Sequence, residues 1–350
     1  MNTKDILHLL SQVVHPEKNK DIVSLGWVQN VQIGADAIAL ALHFPSQRDP
    51  FANTLGQQCE RLLKETYPTH SVQVDLQFAA VQRAVKTNAA PKDTLPEVKK
   101  IIAVMSGKGG VGKSTVSVNI ALMLAQKGYK VGIVDADIYG PSLPKMFGVE
   151  DEHPTATEDN LIVPVEKYGV KMLSIGFFVK PADALLWRAP MVVNALKQLL
   201  LQAQWGALDF LFIDMPPGTG DIHLSLVNEL KLAGAVVVST PQQVALADAR
   251  KSISLLQHES IHVKILGVVE NMAWFTPAEL PQNKYYIFGK AGAQRMAAEL
   301  QLPLLAEIPL VQSVCEDGDA GIPSVLQEGA VKDAFEKLTD NLQLQLTLPS

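Results

Sequence analysis

Residues 101–114 read Ile101-Ile102-Ala103-Val104-Met105-Ser106-Gly107-Lys108-Gly109-Gly110-Val111-Gly112-Lys113-Ser114, and this stretch decides the fold. Five consecutive apolar residues form a buried-strand candidate. They lead directly into a full G-x-x-x-x-G-K-[ST] match. From Ser114 to Lys127 the spacing is helical, closed by Gly128. The glycines let consecutive backbone N–H groups turn inward around an anion, and the helix N-terminus adds its positive dipole end, so the loop is built to hold phosphates. Lys113 is expected to reach the β and γ phosphates and the Ser114 hydroxyl to ligate Mg²⁺. Gly107, Gly109, Gly110, Val111, Gly112 and Thr115 complete the expected cradle.

Working outward, short continuous apolar runs recur at 131–134, 210–213, 235–238 and 265–269, each a buried strand candidate. Helical stretches at 191–204 and 246–258 lie between them. Alternating strands and helices predict an α/β fold, a mostly parallel sheet with helices on both faces. Upstream, helices at 4–14 and 50–66 and strands at 26–32, 37–43 and 71–78 predict a small α+β domain. The segment Lys86–Glu97 (KTNAAPKDTLPE) has two prolines and no apolar periodicity, as a solvated linker does. The expected organisation is therefore a domain over 1–85, a linker over 86–98 and a P-loop domain over 99–350.

With 350 residues, 47% of them hydrophobic and 19% charged, the chain is long enough for two cores and too apolar for disorder. The net charge of −6 gives no global attraction to nucleic acid or anionic lipid, so neither is an expected partner. The only cysteines, Cys59 and Cys315, form no short metal-ligand pair and no disulfide framework, which fits a reducing compartment. The N-terminal MNTKDILHLL lacks a cleavage site, and no apolar run reaches membrane-spanning length. The expected location is the cytoplasm.

Acidic residues close three of the strand candidates. Asp135 and Asp137 (VDADIYGPS) fall at the carboxyl end of a parallel strand, where ligands of such sheets bind. Asp214 begins the Pro/Gly loop Asp214-Met215-Pro216-Pro217-Gly218-Thr219-Gly220-Asp221. Glu270-Asn271 ends the strand at 265–269, where the Asn271 amide could bond an adenine edge in both directions or simply end the strand in a turn. His223 is expected at the surface or in a helix cap.

Lys108, just after the first glycine, gives the loop a deviant Walker A signature that resembles the family containing MinD, ParA and the nitrogenase iron protein. The resemblance implies an ATP-sandwiched homodimer in which Lys108 crosses to the partner subunit's nucleotide. It also implies Asp135 near the metal, Asp137 in the first switch positioning the nucleophile, Asp214 in the Mg²⁺ shell, the Gly218 amide sensing the γ-phosphate and Asn271 at the adenine. More narrowly, MSGKGGVGKSTVSVNIA, VDADIYGPSLPKMFG, LLWRAPMV, FIDMPPGTGDIHLSL, VENMAWF, YYIFGK and AEIPL follow in the order seen in Mrp/ApbC-type proteins, which are ATP-binding iron–sulfur cluster carriers. HPEKNKDIVSLGWVQNVQI resembles the small iron–sulfur assembly domain often fused upstream. The resemblance implies slow ATP hydrolysis and passage of a labile Fe–S cluster to apo-proteins, with cluster assembly factors as further partners.

The sequence departs from that pattern where members carry C-P-x-C. Here Phe275-Thr276-Pro277-Ala278-Glu279-Leu280-Pro281 contains no thiol, and Phe44-Pro45-Ser46-Gln47 lacks the cysteine often found in the N-terminal domain. What remains is Cys315, the candidate Fe–S ligand, and Cys59 within an apparent helix, either of which could instead be a small buried hydrophobe. Two other readings stay open: a MinD/ParA-like positioning ATPase, against which the weakly cationic tail DAFEKLTDNLQLQLTLPS argues, and a nucleotide-gated assembly scaffold with no cluster of its own.

Overall fold

The computed structural model describes residues 2–16, 18, 20–34, 36–44, 51–78, 94–178, 189–280 and 282–348, without the side chains of 189, 313, 315 and 319. Expectations on Pro45, Ser46, Gln47, Pro50, Trp187, Arg188, Pro281 and most of the linker, 86–93, lie outside these residues. The chain divides into two compact units, Met1–Ala90 and Pro91–Ser350.

The first unit runs α1 (Thr3–Leu10), β1 (Val14–His15), β2 (Lys20–Asp21), β3 (Val28–Ile33), β4 (Ala37–Phe44), α2 (Ala52–Thr66) and β5 (Ser71–Phe78). Helix α1 is shorter than its apolar spacing predicts. Asn2 and Asp5 close a capping box at its start, but the chain leaves the helix at Ser11 and Val14 pairs with Asp21 in a two-stranded ribbon. β3 and β4 pair antiparallel, and β4 and β5 pair parallel from Ala37↔Ser71 to Phe44↔Phe78. A parallel pair needs a crossover, which α2 supplies. Ile6, Leu10, Trp27, Phe44, Leu55, Cys59 and Leu63 meet in one core.

The second unit begins with β6 (Val98–Met105), α3 (Lys113–Gln126), β7 (Val131–Asp135), α4 (Leu143–Phe147), β8 (Thr155–Ala156), β9 (Ile162–Val163), β10 (Val165–Lys167) and β11 (Val170–Ser174). It continues with α5 (Ala189–Leu201), β12 (Leu208–Asp214), α6 (Asp221–Glu229), β13 (Leu232–Ser239), α7 (Gln243–Leu256) and β14 (Ile265–Glu270). α8 (Gly292–Glu299), β15 (Leu304–Glu307), α9 (Gln312–Asp319) and α10 (Ala330–Thr347) complete it. The main sheet has the order β10-β11-β7-β12-β6-β13-β14-β15. Every pairing in it is parallel except β10 with β11 at one edge.

Side chains of β6 alternate between two cores, as the period of a strand requires. Ile102 and Val104 join the core built with α3 and α10, whereas Ile101, Ala103 and Met105 join the core built with α5, α7 and α8. Helices on both faces are therefore present, with β6 and its glycine loop central. Leu95 and Val98, inside the stretch that reads as linker, are instead buried, and β6 starts at Val98. Two charged residues, Lys99 and Lys100, hide that strand start from an apolar pattern. No helix among the described residues is long and apolar enough to cross a membrane.

Phe335 on α10 is fully buried, whereas Leu344 of the same helix is 57% exposed. Phe335→Ala should cost the second unit about 3–5 kcal/mol, and Leu344→Ala less than about 0.5 kcal/mol. Hydrogen exchange of the β6 and β12 amides measures both, and equal losses would contradict this packing.

Candidate functional site

Asp135 ends β7, Asp214 ends β12 and the glycine loop follows β6, and these three strands are neighbours in the sheet. Asp214 pairs in register with Asp135 on one side and with Val104 on the other, so the fold alone carries both carboxylates to the mouth of the loop.

Two glycines of the loop are required by close approach. A Cβ on Gly107 would lie 2.1 Å from the backbone carbonyl carbon of Asp248 in α7. Gly112 has φ +78° at the N-cap of α3, and a Cβ there would lie 2.2 Å from the Asn271 amide nitrogen. Lys113 opens α3 and is buried, with Nζ 2.6 Å from Asp214 Oδ1 and 3.2 Å from Ser114 Oγ. Ser114 donates to Asp214 Oδ2 at 2.6 Å, and Ser117 Oγ lies 2.6 Å from Oδ1. The loop encloses a cavity of ≈ 210 Å³ lined by Ser106, Lys108 through Thr115, Asp137 and Pro217.

Asp135 is fully buried and accepts hydrogen bonds from the backbone N–H groups of Asp137 (3.1 Å), Ser142 (3.0 Å) and Leu143 (3.3 Å) and from the Ser174 hydroxyl (3.1 Å). Burial first, and the Asp214 carboxylate next, push its pKa up to about 7. Burial also raises Asp137, while the Lys113 cation works against that rise. Three carboxyl groups thus crowd around one ammonium group, an arrangement that favours an additional cation. Ser114 and Asp214 offer hard oxygen atoms, and Mg²⁺ binds through one or two such groups plus phosphate and water. No group of three or more His, Cys, Asp or Glu among the described residues could hold a metal by itself. The donor set therefore fits Mg²⁺ arriving with a polyphosphate.

Lys108, Asp137 and all other predicted loop residues except Gly107 line this cavity, with Lys113, Ser114 and Asp214 in mutual contact. Gly107 sits against α7 behind it. Asn271 also reaches the loop, donating from Nδ2 to the Val111 carbonyl at 2.9 Å. The Gly218 N–H donates to Ser106 O at 3.0 Å. His223 is buried in the first turn of α6, whose start has no side-chain cap, correcting its expected place at the surface or in a helix cap: Nε2 lies 2.8 Å from Pro216 O, Nδ1 has no partner, and burial lowers its pKa. Its place inside the turn that follows β12 could not be read from a lone histidine in a polar segment. Glu270 was read only as a strand end, yet it is buried, with Oε2 accepting from the N–H groups of Ala293 and Gln294 at the start of α8.

The segment that lacks cysteines forms a short ladder: Phe275 bridges both Tyr285 and Leu310. Lys284 Nζ sits 3.7 Å from the centroid of the Trp274 ring. Cys315 lies on α9. Cys59 is buried in the first unit, and burial pushes its thiol pKa up to about 12.

A family model described as NUBPL iron-transfer P-loop NTPase matches residues 97–343. The chain belongs to this iron-transfer P-loop NTPase family. A second model, iron–sulfur cluster assembly protein, matches residues 3–76 in the first unit. An iron–sulfur cluster carrier protein from Synechocystis is 39% identical over 331 residues, covering 94% of this chain and 92% of its own. A nucleotide-binding protein from Archaeoglobus fulgidus, solved in complex with ADP, superposes with a TM-score of 0.59 at 36% identity, covering 67% of this chain and 91% of its own. The cell division ATPase MinD from Pyrococcus furiosus superposes with a TM-score of 0.52 at 25% identity, covering 70% of this chain and 99% of its own. The α/β P-loop fold and membership of the iron-transfer family therefore agree with the sequence reading.

Two outcomes test this geometry. Gly107→Ala forces a Cβ into the α7 backbone and should abolish nucleotide binding or loosen α7, read by calorimetry and hydrogen exchange; unchanged binding together with unchanged exchange of the α7 amides would contradict the close approach. A thiol with its pKa near 12 is about one part in 10⁴ thiolate at pH 8. Iodoacetamide at that pH should leave Cys59 of the folded chain unmodified, and mass spectrometry showing alkylation at the rate of a free thiol would contradict its burial.

Proposed function

We propose that this chain is an Mg-dependent ATPase that carries or assembles iron–sulfur clusters and delivers them to apo-proteins, working as a homodimer. The observation that carries this reading is the junction of Lys113, Ser114 and Asp214 at a phosphate-sized cradle, in a member of an iron-transfer family. The assembly-domain match in the first unit supports the same cargo.

In this reading the loop N–H groups hold the phosphates and Lys113 leaves Asp214 to neutralise the β and γ groups. Ser114 and Asp214 would hold Mg²⁺, with Asp135 near it, and the ion would supply charge that offsets the phosphate oxygens. Asp137, which lines the cavity, orients the attacking water. Lys108 reaches the nucleotide of the second copy and stabilises charge as the terminal phosphate departs.

The cluster is cargo, and its binding site needs a different account from the C-x-x-C pair that the sequence lacks. Fe–S clusters are held by four thiolates as a rule. Two Cys315 side chains across a dimer axis provide half of that set, leaving small thiols or oxygen atoms for the rest. A second reading, a nucleotide-gated scaffold that contacts assembly factors without holding iron, is favoured by the burial of Cys59, whose thiol stays protonated, and by the absence of thiols from 275–281.

Lys113→Ala should abolish ATP binding, whereas Lys108→Ala should leave affinity nearly unchanged and lower hydrolysis by about a hundredfold or more. Equal ATP affinity in wild type and Lys113→Ala would overturn the site assignment. Anaerobic reconstitution with iron and sulfide should load wild-type protein and lose that load in Cys315→Ala. Absence of iron from both, together with ATP-dependent capture of assembly factors, would replace the carrier by the scaffold.

A further inference from the structure

The Asn271 side chain stands behind the phosphate loop. It is buried, and it is not among the residues that line the cavity. Its Nδ2 donates to the Val111 carbonyl at 2.9 Å. The same nitrogen fills the space that a Cβ on Gly112 would occupy, 2.2 Å away. The contact is therefore made to the peptide unit between Val111 and Gly112, on its outer side.

A trans peptide points its C=O and its N–H in opposite directions and rotates only as a plane. Fixing the Val111 carbonyl from outside consequently fixes the Gly112 N–H toward the cavity that both residues line. Gly112 has φ +78°, in a backbone region open to glycine over a broad range, so the torsions alone hold this plane weakly. An external donor removes that freedom before a ligand arrives, which is the meaning of preorganisation.

Asn271 is itself held from three directions. Its backbone N–H donates to Ser239 O at 2.8 Å, at the end of β13. The next residue, Met272, takes φ 53°, a left-handed conformation unfavourable for a side-chain-bearing residue, and its Cε lies 3.6 Å from the Cβ position of Gly112. Beyond it the Ala273 N–H donates to Ile308 O at 2.9 Å. Two strand ends and a fixed left-handed turn thus aim one amide at one carbonyl.

We propose that Asn271 is a positioning residue of the phosphate cradle: it orients the Val111–Gly112 peptide so that the Gly112 N–H meets a polyphosphate, whatever base is attached. The inference rests on the nucleotide-binding reading above and differs from a contact with adenine. An adenine contact discriminates between ATP and a ligand without a base, whereas a contact with the loop does not.

The experiment measures calorimetric affinity for Mg-ATP and for inorganic tripolyphosphate with Mg²⁺, using full-length wild type, Asn271→Ala, Asn271→Asp and Lys113→Ala. Asn271→Asp keeps the side-chain size and replaces the donor by an acceptor facing the Val111 carbonyl, so it carries the test if the alanine variant misfolds; circular dichroism of the ligand-free proteins reports folding. Both Asn271 variants should lose affinity for ATP and for tripolyphosphate by the same factor, about tenfold for one hydrogen bond to the loop. Loss confined to ATP would overturn the inference in favour of base recognition, and wild-type affinity for both ligands in the folded variants would overturn it outright. Lys113→Ala binding as tightly as wild type would instead remove the nucleotide-binding reading itself, and the inference with it.

Discussion

The buried ion pair between Lys113 and Asp214 organises the second unit. Burying one charge without a partner is costly, and removing one partner of such a pair typically costs about 3–5 kcal/mol. Both groups lie at the carboxyl end of the central strands, Lys113 on the first turn of α3 at 6% exposed and Asp214 at the end of β12 at 0%, with a 2.6 Å contact between them. The pair is affordable there because Ser114 and Ser117 place hydroxyls on the same carboxylate. Its surroundings are polarised as well, since Asp135 and Asp137 sit close enough to Lys113 for its charge to favour their ionised forms against burial. With more carboxyl groups than cations around it, the site suits the proposed exchange, in which a polyphosphate would take the lysine and a divalent cation its place beside Asp214.

That exchange depends on a rigid frame. The loop is pressed between the α7 backbone at Gly107 and the Asn271 amide at Gly112, so its peptide groups have little room to reorient. Strand register does the remaining work, setting Asp135 opposite Asp214 without any side-chain contact being required to bring them together. The chemistry therefore sits at the carboxyl ends of strands whose own residues are almost wholly apolar, as expected where ligands meet a parallel sheet.

Much of this was legible in the sequence because it is local. The loop motif, the continuous apolar strands and the aspartates that close them each depend on residues adjacent in the chain. What escaped depends on residues far apart. Asn271 meets Val111 across the sheet, and His223 turns inward because the loop after β12 folds over it, neither of which leaves a periodic signal. The edge strands β10 and β15 are short, and β6 begins at Val98 just before two lysines, so composition conceals them. In the first unit a capping box opens α1, yet the helix stops at Leu10, and Val14 pairs with Asp21 in a strand instead. The cargo side was legible only as family resemblance, since the C-P-x-C pair that the resemblance implies is not in this chain's sequence.

The central claim is that Asp214 pairs with Lys113 at rest and with Mg²⁺ when a nucleotide is bound. The most direct test compares ATP affinity with and without Mg²⁺ in wild type and in Asp214→Asn. The account predicts that Mg²⁺ strengthens binding strongly in wild type, and that Asp214→Asn binds metal-free ATP more tightly than wild type but gains little from Mg²⁺. An equal Mg²⁺ enhancement in both proteins would contradict it.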